Sequence, residues 1–210
     1  MAAALLVPAM LAGGASAAFA QDPQMAGMAG MDHSHMAGMD MGLPPVKIPA
    51  GSNYTEADVR FMQGMIAHHA QAIYMSRMAA PHDASPRLIK FAGKIDQSQR
   101  AEIKLMQDWL NSNKQFATDT SSWRHMTMAG MLTADQLAKL DAAKGADFDR
   151  LFLEYMIQHH EGALKMVSDL FATPMAGQEV DVSVFANDVV TVQTAEIGVM
   201  RKMLNAQSHQ

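Results

Sequence analysis

The stretch FMQGMIAHHAQAIYM, residues 61–75, lines up without a gap on FLEYMIQHHEGALKM, residues 152–166. In both, Met, His and small apolar residues recur three and four apart, the spacing of one helical face. A second pair follows the first. FAGKIDQSQRAEIKLMQDWL from Phe91 aligns on FANDVVTVQTAEIGVMRKML from Phe185, sharing Phe-Ala, a Gln, Ala-Glu-Ile, a Met and a Leu. The β-branched residues of the last segment would by local propensity allow a strand, but its kinship with the segment at Phe91 decides for helix. One helical hairpin has been used twice. Each amphipathic hairpin leaves an apolar face uncovered, and packing the two into a four-helix bundle with a pseudo-twofold axis buries both.

The expected fold is therefore all-α: two repeated helical hairpins, a short extra helix in their connection, and a disordered Met/His-rich N-terminal tail. Helix boundaries are readable. Thr55 is an N-cap with Asp58 three residues on, and Pro81 is the stop; Ser85-Pro86 is a favoured cap and first-turn pair. Thr133 and Gln136 form a capping box for the short helix, with Gly145 as its stop, and a longer helix runs from Asp147 toward Pro174. The layout is 1–20 signal peptide, 21–50 tail, 51–120 first hairpin, and 121–206 Met-rich linker, short helix and second hairpin, with one bundle over 51–206.

The leader reading rests on MAAALLVPAMLAGGASAAFA, an apolar run ending in a small-residue cleavage site at Ala18-Phe19-Ala20. No Lys or Arg precedes it. A membrane anchor or a core helix is the alternative, but Pro8, Gly13 and Gly14 interrupt the run, which also falls short of the roughly 20 residues a span requires. A periplasmic or secreted location follows, without stable membrane insertion after cleavage. Cysteine is absent from the 210 residues while methionine occurs 21 times, so a soft-metal site has to use thioether in place of thiolate. The formal charge of −5 argues against a nucleic-acid partner, whose phosphates need a basic face.

Helical spacing brings Met65, His68, His69 and Met75 onto one stripe and Met156, His159, His160 and Met166 onto its counterpart. A lone helical His among apolar residues is ordinarily a hydrogen-bonded core residue. Two adjacent His-His pairs at the same phase of a repeat call for more, and metal ligation supplies it. On the partner helices Gln99, Glu102 and Met106 share a face, as do Gln193, Glu196 and Met200. Glu102 and Glu196 are expected to accept the second ring N–H of a metal-bound histidine and orient it. Core packing and ligation are equally open to Met75, Met166, Met106 and Met200.

Thioether with imidazole suits copper, since Cu(I) prefers sulfur and Cu(II) nitrogen. The same reasoning extends to two stretches expected to be mobile: the tail, with Met31, His33, His35 and Met36, and the linker, with His125, Met126, Met128 and Met131. Taken together, the paired Met-Ile-x-His-His helices, Met-x-Gly-Met-Leu before a Thr-capped helix, and DFDRLFLEYMIQHHEGALKM resemble the family known as domain of unknown function 305 over roughly residues 54 to 205. The resemblance implies a ferritin-like bundle and a role in copper binding or resistance. In the first hairpin Ala70-Gln71 stands where the second has Glu161-Gly162, a departure that sets the two halves apart as metal sites.

The expected function is a binding protein that sequesters or carries copper, with copper ions and other periplasmic copper-handling proteins as partners. Two alternatives stand beside it. A ferritin-like di-metal oxidase needs Glu-x-x-His on two helices, and Met65 and Met156 occupy those glutamate positions. A noncovalent b-type haem bundle would use His and Met as axial ligands.

Overall fold

The computed structural model describes residues 42–207. The leader and most of the expected tail, including Met31, His33, His35 and Met36, lie outside the described residues. The elements are α1 Glu56–Met78, α2 Pro86–Ser112, a 3-10 turn Ser122–Arg124, α3 Ala134–Ala142, α4 Gly145–Ala172 and α5 Val180–Gln207, with no strand among the described residues.

The sequence signals act where they stand. Thr55 and Asp58 close a capping box on α1, and Ser85 caps α2 with Pro86 in its first turn. Thr133 and Gln136 close a second box on α3. Glu179 accepts the Val182 N–H at the start of α5 and the Trp109 indole N–H from α2. Gly145 departs from expectation. The chain already leaves α3 through extended Ala143, and Gly145, at φ +56°, opens α4 while donating its N–H to the His82 carbonyl at 2.9 Å.

The repeat is visible in the way the hairpins hold each other. Asp58 near the start of α1 is buried and accepts the Gly177 N–H from the α4–α5 turn at 2.6 Å. Its counterpart Asp149 near the start of α4 is also buried and accepts the Ser85 N–H from the α1–α2 turn at 3.0 Å. Each hairpin thus offers a carboxylate to the other's turn, as a twofold between antiparallel α1 and α4 requires. The apolar contacts form two clusters, one around Phe61, Met106, Val167 and Phe185, the other around Leu88, Phe148, Phe152 and Met200.

Two segments expected to be mobile are built into the fold. Leu43 and Val46, from the end of the expected tail, pack on the first cluster, and Gln115 donates to the Lys47 carbonyl at 2.9 Å. The linker is corrected more strongly. Met126, Met128 and Met131 are buried, and residues 128–132 run as a strap along α1 and α4. Four hydrogen bonds fasten it, one of them from Gln158 Nε2–H of α4 to the Gly130 carbonyl (3.2 Å). His68 Nε2–H donates to the Ala129 carbonyl (3.0 Å), Gln71 Nε2–H to the Leu132 carbonyl (3.1 Å), and Leu132 N–H to Gln71 Oε1 (2.7 Å). With α2, α4 and the strap around it, α1 buries every residue except Glu56, Ala57, Arg60, Tyr74 and Arg77.

The strap fits because two glycines face each other. Gly130, at φ +77°, lies against Gly162 of α4, and a Cβ on Gly162 would run into the Ala129 carbonyl. Gly162→Ala should therefore destabilise the protein by about 1–3 kcal/mol, the usual effect of overpacking. Gly93→Ala on α2, where an added Cβ meets nothing, should stabilise by about 0.4–1 kcal/mol. Chemical denaturation of the two variants beside the parent checks the contrast, and equal effects would remove the strap from its place.

Candidate metal centre

Between the two apolar clusters lies a polar layer drawn from all four long helices. On α1 it falls between Ala67 and Ala72, on α2 between Ile95 and Ile103, on α4 between Met156 and Ala163, and on α5 between Val189 and Ile197. The residues in these gaps are His68 and His69, Gln99 and Glu102, His159 and His160, and Gln193 and Glu196. All four imidazoles have 0% exposure, and both glutamines have 2%. The rings of His68 and His159 meet across the pseudo-twofold with centroids 3.8 Å apart.

The acceptors around the rings decide which nitrogen is left over. His69 Nε2–H donates to Glu102 Oε2 at 2.6 Å and His160 Nε2–H to Glu196 Oε2 at 2.7 Å, the same bond in each hairpin and the histidine–carboxylate pairing expected of both. His68 Nε2–H is taken by Ala129. A neutral imidazole donates from one nitrogen and accepts at the other, so the neutral form of each of these three rings has its lone pair on Nδ1. None of the three Nδ1 atoms has a partner, and His159 has none at either nitrogen. The side-chain amides of Gln99 and Gln193 are likewise buried and unpaired at both N and O.

The electrostatics keep the contacting rings neutral. Burial, reinforced by the neighbouring His69, pushes His68 down from 6.5 to about 3. Burial, reinforced by the neighbouring His68, holds His159 well below its ordinary value. For Glu102 burial works upward, yet the hydrogen bond from His69 and its charge outweigh that and leave the carboxyl below the usual range. His68 and His159 thus offer unprotonated nitrogen, the form a metal binds.

Sulfur flanks the layer on both sides: Met65, Met106 and Met166 belong to the first cluster, Met75, Met156 and Met200 to the second. Among the described residues no three His, Asp or Glu side chains are grouped to hold an ion by themselves. A site at the imidazoles therefore draws on thioether, amide or backbone donors to complete it. His125 is not part of it; it lies exposed on the surface beside Asp119. Sequence reasoning placed Gln99 and Gln193 on the right face without naming them as site residues. The Ala129 carbonyl carries no side-chain signal at all.

Residues 58–204 match the family described as Domain of unknown function (DUF305), and the chain belongs to that family. A candidate secreted DUF305 protein of Streptomyces coelicolor is 25% identical with a TM-score of 0.63, the match covering 74% of this chain and 95% of that one. A DUF305 fragment from Deinococcus radiodurans is 28% identical with the same TM-score of 0.63, covering 73% and 98%. CopM in its Cu(I)-bound form is 29% identical with a TM-score of 0.57, covering 71% and 96%. CopM is also seen in Cu(II)-bound, Ag-bound and apo forms. No curated protein sequence matches.

Acid should act on this layer in a definite direction. In the unfolded chain His68 and His159 protonate near 6.5, whereas folded His68 stays neutral to about 3, so the unfolded state binds more protons throughout that interval. Metal-free protein should lose stability as pH falls from about 6.5 toward 3, His68 alone accounting for at most about 5 kcal/mol. Urea midpoints across this range check the slope, and His68→Gln should flatten it. A parent curve no steeper than the variant's would show the ring taking up a proton in place.

Proposed function

We propose that this DUF305 protein binds copper in the periplasm or outside the cell and sequesters or carries it, its ligands being the buried imidazoles and the thioethers beside them. One observation carries the reading: three imidazoles are held by acceptors with Nδ1 bare, and a fourth has both nitrogens bare, with all four rings fully buried. Each unpaired buried polar atom costs about 1–3 kcal/mol, so a purely structural role would leave this arrangement at a steady loss. A bound metal uses those lone pairs. The Glu102 and Glu196 carboxylates then act as they do around metal-bound histidine generally, fixing ring orientation and raising the basicity of the ligating nitrogen.

Donor chemistry selects the ion. Neutral nitrogen with thioether and no thiolate suits copper in both oxidation states, imidazole favouring Cu(II) and methionine Cu(I). The likeness to CopM, which is seen with Cu(I), Cu(II) and Ag, supports the same choice here. The leader-like first 20 residues and the likeness to a candidate secreted family member support export. A redox enzyme is not favoured by any feature of the layer. Haem is disfavoured by the 3.8 Å contact between His68 and His159, which leaves no space for a macrocycle between them.

Exchanging His68, His69, His159 and His160 for Gln should remove the tightest copper while leaving the helices formed, because Gln is a good helix former. Elemental analysis of parent and variant isolated from copper-supplemented cells, with circular dichroism as the folding control, reads the outcome. A folded variant with the parent's copper content would contradict the assignment.

A further inference from the structure

The strap lies along one side of the α1–α4 pair, touching both repeats, and it does so at positions where the repeats differ in size. Gly162 admits Ala129 and Gly130, whereas the equivalent residue of the first hairpin is Gln71, which latches Leu132. The third such position is Gly64. Its counterpart is Tyr155, partly buried against the second cluster. A Cβ on Gly64 would come within 3.0 Å of the Met128 sulfur and 3.5 Å of the Met166 terminal methyl, so both thioethers lie over the same point of α1. One turn further along that face stands His68, whose Nε2–H is held by the residue following Met128.

We infer that Met128, Met166 and His68 form one soft-metal site shared between the strap and the bundle, which has no twin among the described residues. The inference rests on the copper-binding reading and deepens it. Two thioethers and an imidazole match a Cu(I)- or Ag(I)-class cation and offer little to a hard divalent ion. The sulfur of Met166 repeats as Met75, but no strap crosses there among the described residues, and Tyr155, packed on the second cluster, stands at the position equivalent to Gly64. Among the described residues the pseudo-twofold bundle thereby acquires a single site of this kind. Because one of its three donors sits on the strap, metal at this site also ties the strap to the imidazoles beneath it, and its release frees both together.

Ag(I) is a suitable probe, being redox-inert. The full chain, carbon-13 labelled at the methionine methyls, is titrated with it and followed by NMR, with Met128→Leu, Met166→Leu and Met75→Leu providing assignments. Leu conserves the volume of Met closely enough to keep the fold. The Met128 and Met166 methyls should move together in one saturating step while Met75 stays still. In Met128→Leu the Met166 shift at that step should weaken by at least about tenfold in affinity. Gly64→Ala should weaken it as well without removing a donor, by crowding the sulfur. Silence of Met128 and Met166, with the histidine rings responding, would overturn this site and leave the copper-binding reading standing. If neither the methyls nor the rings respond, both fall.

Discussion

A carboxylate or carbonyl oxygen that accepts one ring N–H of a buried histidine determines what the other ring nitrogen can do. Here Glu102, Glu196 and Ala129 do this for His69, His160 and His68, and the consequence is a core layer of bare Nδ1 atoms. Imidazoles at 0% exposure with unpaired nitrogens are costly in a metal-free fold. The two apolar clusters above and below, each containing large buried side chains such as Phe61 or Phe152, supply the stability that lets the layer persist. The arrangement leaves the middle of the bundle with unpaired donor atoms, the feature on which the proposed copper binding rests.

The connection between the hairpins makes the two halves unequal. A duplicated hairpin would by itself give two equivalent metal environments, and the carboxylate–histidine pairs remain equivalent to within 0.1 Å. The strap breaks that equality at Gly64, Gln71 and Gly162, where the first and second repeats carry different residues. It also seals the layer on its own side, since Ala129 covers His68 directly. Access to the imidazoles and possession of a strap sulfur are therefore properties of the same few residues.

Much of this was legible beforehand. Helix phase, both capping boxes and the partnership of Glu102 and Glu196 with the His pairs followed from spacings of three and four and from the repeat, because a helix turns local spacing into shared faces. The strap was not legible. Its Met-rich, Gly-containing sequence has the composition of a mobile segment, and what orders it are pairwise contacts some 60 residues away, Gln71 with Leu132 and His68 with Ala129. A close approach of Gly130 to Gly162 leaves no periodic trace. The signal that was present lay in the differences between the repeats, at Gly64 against Tyr155 and Gln71 against Gly162. Gln99 and Gln193 escaped notice as site residues because a neutral amide at a core-facing position looks the same whether or not it is paired.

The central claim concerns the ring nitrogens, and nitrogen-15 NMR of the histidine side chains observes them directly. In the metal-free full chain near neutral pH, His68, His69 and His160 should each carry a proton on Nε2, held by Ala129, Glu102 and Glu196, and His68 should be a neutral ring. On anaerobic loading with Cu(I), their Nδ1 resonances should shift while Nε2–H to Glu102 and Glu196 is retained. Rings protonated at Nδ1 in the metal-free protein, or Nδ1 resonances that ignore the metal, would contradict the account.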